Sequence, residues 1–175
     1  MNKPIPSRPV SPPLIIIRDL VRSMRRLWLR LKLRKKLSHG ANFHFGKHCL
    51  FLPPGHLKCG NDISIGQNFH LETNLEIGDG VLISSNVSII GNDHRFDDIH
   101  NNIYWGGRLP ASTVIIEGDN LIGFGTIILG NVRIGHGCIV GAGSIVTRDL
   151  PSGWVCVGSP AKPVRKRRQL ENTND

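Results

Sequence analysis

Aromatic side chains are scarce: Phe, Trp and Tyr make up 6% of the 175 residues, although 39% of the chain is hydrophobic. A domain of this length removes roughly 70% of its unfolded-chain surface from water. With few large rings available, the interior has to rest on many small aliphatics, which favours a layered, repetitive core. Cysteine is equally sparse. The four stand at Cys49, Cys59, Cys138 and Cys156 and form no CxxC or CxxxC pair, which argues against a zinc module and a disulfide framework and fits a reducing compartment. Long hydrophobic runs are missing too. The longest early one, Leu14 to Ile17, falls far below the ~18 residues of a spanning helix and has no small-residue cleavage site. Neither an integral membrane protein nor a standard secretory leader is expected; a cytoplasmic location is.

The two ends have few acidic residues. Residues 1–47 carry 12 Lys and Arg against one acid, residues 48–161 carry 5 against 10, and residues 162–175 carry 5 against 2, within a formal net charge of +9. A mildly acidic body with a basic segment at each end has no basic groove for duplex nucleic acid, so no nucleic-acid partner is expected.

What the chain does have is a period of six. Ile116, Ile122, Ile128, Ile134, Val140 and Val146 follow one another without a slip, and so do Ile65, Leu71, Ile77, Ile83 and Ile89. A second apolar column runs two residues earlier at Ile63, Phe69, Leu75, Val81 and Val87. Neither a helix nor a coiled coil repeats every six residues. A short strand followed by a tight corner does, because residues two apart share a strand face. Gly66, Gly78, Gly123, Gly135 and Gly141 follow column residues where the backbone must turn or crowd. The pattern predicts a parallel β-helix with three hexads to a coil, and these columns account for about four coils. Its handedness does not follow from the spacing. Between Ile89 and Val114 the rhythm stops at a polar stretch with Trp105, Gly106, Gly107 and Pro110, so residues 90–113 are expected to project as a loop.

The ends read differently. Residues 1–13 are Pro-rich and expected to be flexible. Over residues 14–37, Leu20, Met24, Leu27 and Leu31 give one apolar stripe on an otherwise cationic helix, with Val21 and Trp28 beside it. Leu27, Leu29, Leu31 and Leu33 also alternate as in a strand. Such a helix either covers an open end of the β-helix or makes a peripheral contact with a membrane surface through its cations, and the two are compatible. Residues 38–165 form the expected β-helix domain and residues 166–175 a basic, polar tail.

Two stretches carry a resemblance. "IGHGCIVGAGSIVTRDLPSGWVCVGSPAKPVRK" and "ISSNVSIIGNDHRFDD" are similar to the carboxyl-terminal signature and to the loop-entry segment of the hexapeptide-repeat acyltransferase superfamily. These are the left-handed β-helix enzymes that include maltose, galactoside and polysaccharide O-acetyltransferases. The resemblance covers about residues 60 to 165. It implies an all-β fold with a left-handed parallel β-helix, acetyl-CoA as cosubstrate, and a homotrimer with each active site in the groove between neighbouring prisms. It also implies that His94 is the catalytic residue.

The chemistry of His94 supports that role independently. Acyl transfer from a thioester to an alcohol needs the hydroxyl proton removed as the bond forms, and neutral imidazole suits that near neutral pH. His94 stands where the regular coil ends, with Asp93, Asp97 and Asp98 near it in sequence; one of these, or a main-chain carbonyl, is expected to hold its tautomer. No Ser or Cys stands in a nucleophile setting such as GxSxG, so direct transfer within a ternary complex is expected. By likeness, the main-chain N–H of Phe124 is the oxyanion donor. The family usually has a small residue there, and often a Trp where this chain has Leu121. Ala142 matches a position beside the pantetheine arm, and Thr147, Arg148, Lys162 and Arg165 match positions that contact CoA; Lys166, Arg167 and Arg168 read as a solvated tail. Asn86 matches a recurrent substrate-side residue, with an ordinary corner Asn as the other reading, and Asp93 is placed with it.

These readings lead to an O-acetyltransferase moving acetyl from acetyl-CoA to a sugar hydroxyl of a surface-polysaccharide precursor. The alternatives are a small-molecule or antibiotic acetyltransferase and a non-catalytic assembly module. A lyase like the γ-type carbonic anhydrases needs three convergent His, and His70, His94 and His100 do not reproduce that spacing, so no metal is expected.

Overall fold

Each hexad places two side chains inward with one outward between them, and most then turn a corner through a residue in the left-handed region. Ile63, Ser64 and Ile65 show the unit: inward, outward, inward, followed by Gly66 and then Asn68 at φ 55°. Gly66 is required for close approach rather than for an unusual φ, since a Cβ there would stand 2.5 Å from the Ser85 nitrogen of the next coil. Asn tolerates the left-handed corner at a lower cost than most residues.

The computed structural model describes residues 12–100 and 102–167, in two compact units, Met1–Arg34 and Lys35–Asp175. The second unit is a parallel β-solenoid of about six turns. Its first face stacks Leu37–His39, Leu57–Cys59, Asn74–Ile77, Thr113–Ile116 and Arg133–Ile134; the third stacks Leu50–Phe51, His70–Leu71, Ser88–Ile90, Ile127–Leu129 and Ile145–Val146. The second face begins at His44–Phe45 and ends in the hairpin of Trp154–Gly158 with Ala161–Lys166, whose antiparallel pairing closes the parallel ladder. Register is strict. Phe51, Leu71, Ile89, Ile128 and Val146 are successive partners on the third face, as are Cys59, Ile77, Ile116 and Ile134 on the first. Every column residue named from the sequence is buried.

The solenoid is longer than the columns indicated. Phe43 with Phe45, and Leu50–Phe51 after them, belong to a coil before Ile63. Phe51 and Cys59 hold equivalent inward positions eight residues apart, because Pro53 and Pro54 add two residues at that corner. Here the core is aromatic: Phe43, Phe45, Phe51 and Phe69 form a chain of rings with centroid separations of 5.8, 5.1 and 5.5 Å. Most of the protein's Phe is thus spent on one end of the core.

In the first unit, α1 (Pro12–Leu33) settles the choice between helix and strand in favour of helix. It differs from the expected 14–37 at both ends. Proline is compatible with a first helical turn, where its missing N–H would be unpaired anyway, and Arg34, at φ 49°, ends the helix. A 3-10 turn at Arg34–Lys36 follows, and Leu37 already pairs with Leu57 as the first solenoid strand. The flexible segment expected at 1–13 lies, for residues 1–11, outside the described residues; so does 168–175 of the expected tail. Lys166 and Arg167 are not tail. Lys166 ends the hairpin strand, and Arg167 donates its backbone N–H to Gly153 O at 2.7 Å and its guanidinium to Asp119 Oδ2 at 2.6 Å.

Candidate active site

The loop expected at 90–113 leaves the third face after Ile90 and returns to the first face at Thr113, and its two legs pair as an antiparallel arm. Leu109 N–H donates to Asp93 O at 2.8 Å, Arg95 N–H donates to Gly107 O at 3.0 Å, and His94 bridges Arg108 between them. Asn92, at φ 59°, clamps the base. Its Oδ1 accepts from Ser112 N–H at 2.7 Å, its Nδ2 donates to Glu72 O at 2.8 Å, and its carbonyl accepts from Arg108 Nη1 at 3.2 Å. Farther out, Asn102 caps a 3-10 turn, Ile103–Trp105, by accepting from Tyr104 N–H at 2.9 Å. Sequence reasoning missed the part played by Asn92; its only signal was an Asn, a residue that tolerates the left-handed region, two places before the candidate base.

The His94 side chain is half-buried, and its Nδ1 is shut off from solvent with no hydrogen-bond partner among the described residues. Asp93 was expected near the ring, but its Oδ1 accepts from the His94 backbone N–H at 2.7 Å, so it orients the main chain. Asp98 accepts from the His100 backbone N–H at 3.0 Å. His70 is engaged elsewhere, its Nε2 standing 2.9 Å from Glu72 Oε1.

The remaining candidates separate into three places. Asn86, Phe124 and Ala142 lie on the ridge where the second face turns into the third. Asn86 is a left-handed corner at φ 60° whose Oδ1 accepts from Asn68 Nδ2 at 2.8 Å, so the corner reading accounts for its contacts. Gly143 N–H donates to Phe124 O at 2.8 Å and Gly125 N–H to Ser85 O at 3.1 Å, which continues the ridge. No group among the described residues accepts the Phe124 N–H, and its ring is 55% exposed. A Cβ built on Gly125 or Gly143 would meet nothing within 4 Å, so the ridge is bare backbone open to a ligand. Thr147 and Arg148 lie beyond Val146, at the opposite edge of the third face, the edge from which the His94 arm departs. Lys162 and Arg165 are exposed on the hairpin that ends the second face, paired with Val157 and Val155.

The structure therefore brings Phe124 and Ala142 together, and puts Arg148 on the edge of the third face from which the His94 arm departs, two coils farther along. It does not bring His94 to Phe124. Third-face strands lie between them, and at ~3.3 Å per residue that width is at least about 10 Å. Three of the four thiols are unsuited to covalent catalysis: burial pushes Cys59 and Cys138 up to about 12 and raises Cys156 as well. Among the described residues no group of three His, Cys, Asp or Glu is placed to hold a metal ion.

A triangular parallel solenoid interrupted by one arm that carries a half-buried imidazole defines the class: an all-β hexapeptide-repeat protein. The chain's sequence relatives are acetyltransferases, and its structural neighbours, maltose and galactoside O-acetyltransferases and a hexapeptide-repeat acetyltransferase among them, share the fold. It is 33% identical over 129 residues to the galactoside O-acetyltransferase of Escherichia coli, covering 69% of this chain and 62% of that protein. A Schizosaccharomyces pombe protein described as an acetyltransferase is 35% identical over 134 residues, 73% of this chain and 55% of its own length. The chain thus spans less than two thirds of either relative. A variant of AntD, an N-acyltransferase from Bacillus cereus solved with dTDP-4-amino-4,6-dideoxyglucose and coenzyme A, superposes with a TM-score of 0.55 at 25% identity, over 81% of this chain and 90% of that one. No family model matches the chain.

Proposed function

We propose that the protein is an acetyl-CoA-dependent O-acetyltransferase acting on a sugar hydroxyl, with His94 as general base and the site completed between copies in a homotrimer. The observation that carries this reading is the covered, unpartnered Nδ1 of His94 on an arm set a face's width from the bare Phe124–Ala142 ridge. Buried polar atoms are rarely left without partners, and a catalytic role is one reason that such an atom persists. The arm needs a second surface as well. Phe96, Ile99, Ile103, Tyr104 and Trp105 are all exposed on this one loop, Ile99 at 89% and Trp105 at 80%, and exposed apolar groups gathered on one segment suit an interaction surface. A neighbouring prism supplies that surface and sets one copy's His94 against another's ridge.

In the reaction, His94 takes the acceptor hydroxyl proton as the oxygen attacks the thioester carbonyl. The Phe124 N–H donates to the oxyanion that forms. Collapse breaks the C–S bond, and the imidazolium returns its proton to the departing sulfur, giving the acetyl ester and coenzyme A. Backbone at Ala142 and Gly143 admits the pantetheine arm, Thr147 lies along it, and Arg148, Lys162 and Arg165 meet the phosphates. Asn86 and Asp93 are assigned to the acceptor side. The acceptor is a precursor of surface polysaccharide, and the enzyme works in the cytoplasm with a peripheral contact to the membrane through residues 14–37.

Replacing His94 by Ala tests the reading with labelled acetyl-CoA and a panel of sugar acceptors. Transfer is expected to fall about 100-fold or more while coenzyme A still binds. Full turnover in the variant overturns the assignment. Light scattering of the wild-type chain is expected to give three protomers.

A further inference from the structure

At 100° per residue, Ile16, Ile17, Leu20, Val21, Met24, Leu27, Trp28 and Leu31 of α1 fall in one unbroken sector of roughly 140°. This face is open. Ile16, Ile17, Leu20, Met24, Leu27 and Leu31 are each between 58% and 73% exposed, and Trp28 is half exposed at the sector's edge. Lys32, Arg25 and Arg18 line one flank, with Lys32 Nζ 5.1 Å from the Trp28 ring centroid, and Arg30 lines the other. The helix contains one acid, Asp19, which Arg18 and Arg22 hold at 3.1 and 3.7 Å. Among the described residues no helix is long and apolar enough to cross a membrane.

We propose that α1 docks in the plane of an anionic phospholipid surface, with this sector among the acyl chains and the flanking cations at the headgroups. A broad apolar face bordered by cations, with an aromatic at the boundary, suits a water–lipid interface, and each cation near an anionic leaflet adds to the attraction. The same residues also read as a heptad seam, Ile17, Leu20, Met24, Leu27 and Leu31. A second copy of the helix fits less well. Coiled-coil flanks pair opposite charges, whereas here Arg30 would meet further cations and the one acid is engaged. The proposal deepens the peripheral contact given above and rests on that reading for its biological purpose alone.

The test is co-sedimentation of the full chain with phosphatidylcholine vesicles, with and without phosphatidylglycerol, at low and high salt. Binding to the phosphatidylglycerol vesicles is expected to exceed binding to neutral ones by about tenfold or more and to weaken as salt rises. The double variant Leu20→Glu, Leu27→Glu is expected to lose about 100-fold in binding yet still acetylate a soluble sugar. Arg25→Glu with Arg30→Glu, which keeps the apolar sector, is expected to lose the preference for the anionic vesicles. Failure of the wild-type chain to sediment, or undiminished sedimentation of the Leu variant, overturns the proposal. A drop in assembly mass in the Leu variant, with no vesicle binding by the wild type, overturns it in favour of a contact between copies. Loss of transfer to soluble sugar with vesicle binding intact counts against the catalytic reading and leaves the docking standing.

Discussion

The coils before the arm and those after it share one strand pairing and differ in where their large side chains go. Before the arm, Phe43, Phe45, Phe51 and Phe69 fill the interior, and the corners are closed by side chains: Asn42 donates to Asp62 at 2.7 Å and Asn68 to Asn86 at 2.8 Å. After the arm, the inward column turns small and polar at Asn120, Thr126 and Ser144, all buried. These polar groups are satisfied. Asn120 bonds Gly118, Gly135 and Cys138, Thr126 donates to Gly123 O at 2.8 Å, and Ser144 Oγ accepts from Gly158 N–H at 3.2 Å. The corners become glycine at 125, 137, 143 and 153, all at positive φ. Outward positions meanwhile become aliphatic at Leu121, Ile127, Ile139 and Ile145. The difference separates two tasks: the early coils supply core, and the later ones give up side-chain bulk at their corners to expose backbone and apolar flank to something else.

Breaking the early half should have the largest effect. Phe51 is fully buried within the chain of rings, so Phe51→Ala is expected to cost about 3–5 kcal/mol of stability by chemical denaturation. The protein that remains folded should keep its affinity for coenzyme A. Exchanging corner types sharpens the comparison further. Gly143→Asn puts into the later half the residue that the early half uses at the same φ, with no clash around its Cβ. Stability should change by less than about 1 kcal/mol, whereas affinity for coenzyme A, measured by calorimetry, should fall about tenfold or more because a side chain then stands on the ridge. Unchanged affinity would remove the functional meaning of the bare corners.

The sequence displays the repeat because a period of six with inward pairs has no other regular solution, and each column residue obeyed it from Ile63 onward. The first coil was hidden by a local cause: the extra pair Pro53 and Pro54 shifts the rhythm by two, so Phe45 and Phe51 fell out of phase with Ile65 and Leu71. The arm was visible as a break in rhythm and His94 as the imidazole at its start. That the arm is an antiparallel pair held by Asn92 was not visible, since those contacts join residues about 16–20 apart with no periodic signature. Arg167 was misread for the same reason: its partner Asp119 is 48 residues away. The distance between His94 and Phe124 depends on which edge of a face each occupies, which only the register reveals.

The smallest expected effect compares one carboxylate on each side of the arm, both on the first face. Glu76 accepts from Lys58 at 2.8 Å, and Glu117 accepts from Arg133 at 2.8 Å and from the His136 backbone N–H at 2.8 Å. The hydrogen bond from Lys58 holds the Glu76 carboxyl below its ordinary value, and those from Arg133 and then His136 do the same for Glu117. A carboxyl lowered on folding contributes stability above its unfolded value and loses it as pH falls through the folded one. Solvent screens both pairs, so Glu76→Gln and Glu117→Gln should each cost below about 1 kcal/mol at neutral pH. The cost should be greater for Glu117, whose second bond comes from a fixed main-chain donor, whereas both partners of Glu76, the Lys58 ammonium and the His56 Nε2 at 3.0 Å, are side chains that can rotate away to water at little loss. Denaturation curves of wild type and variants should converge as the buffer is acidified and the wild-type carboxyls protonate. A Glu117→Gln penalty that persisted in acid would mean that the side chain acts through packing, and the later half would then depend on side-chain bulk in the way the early half does.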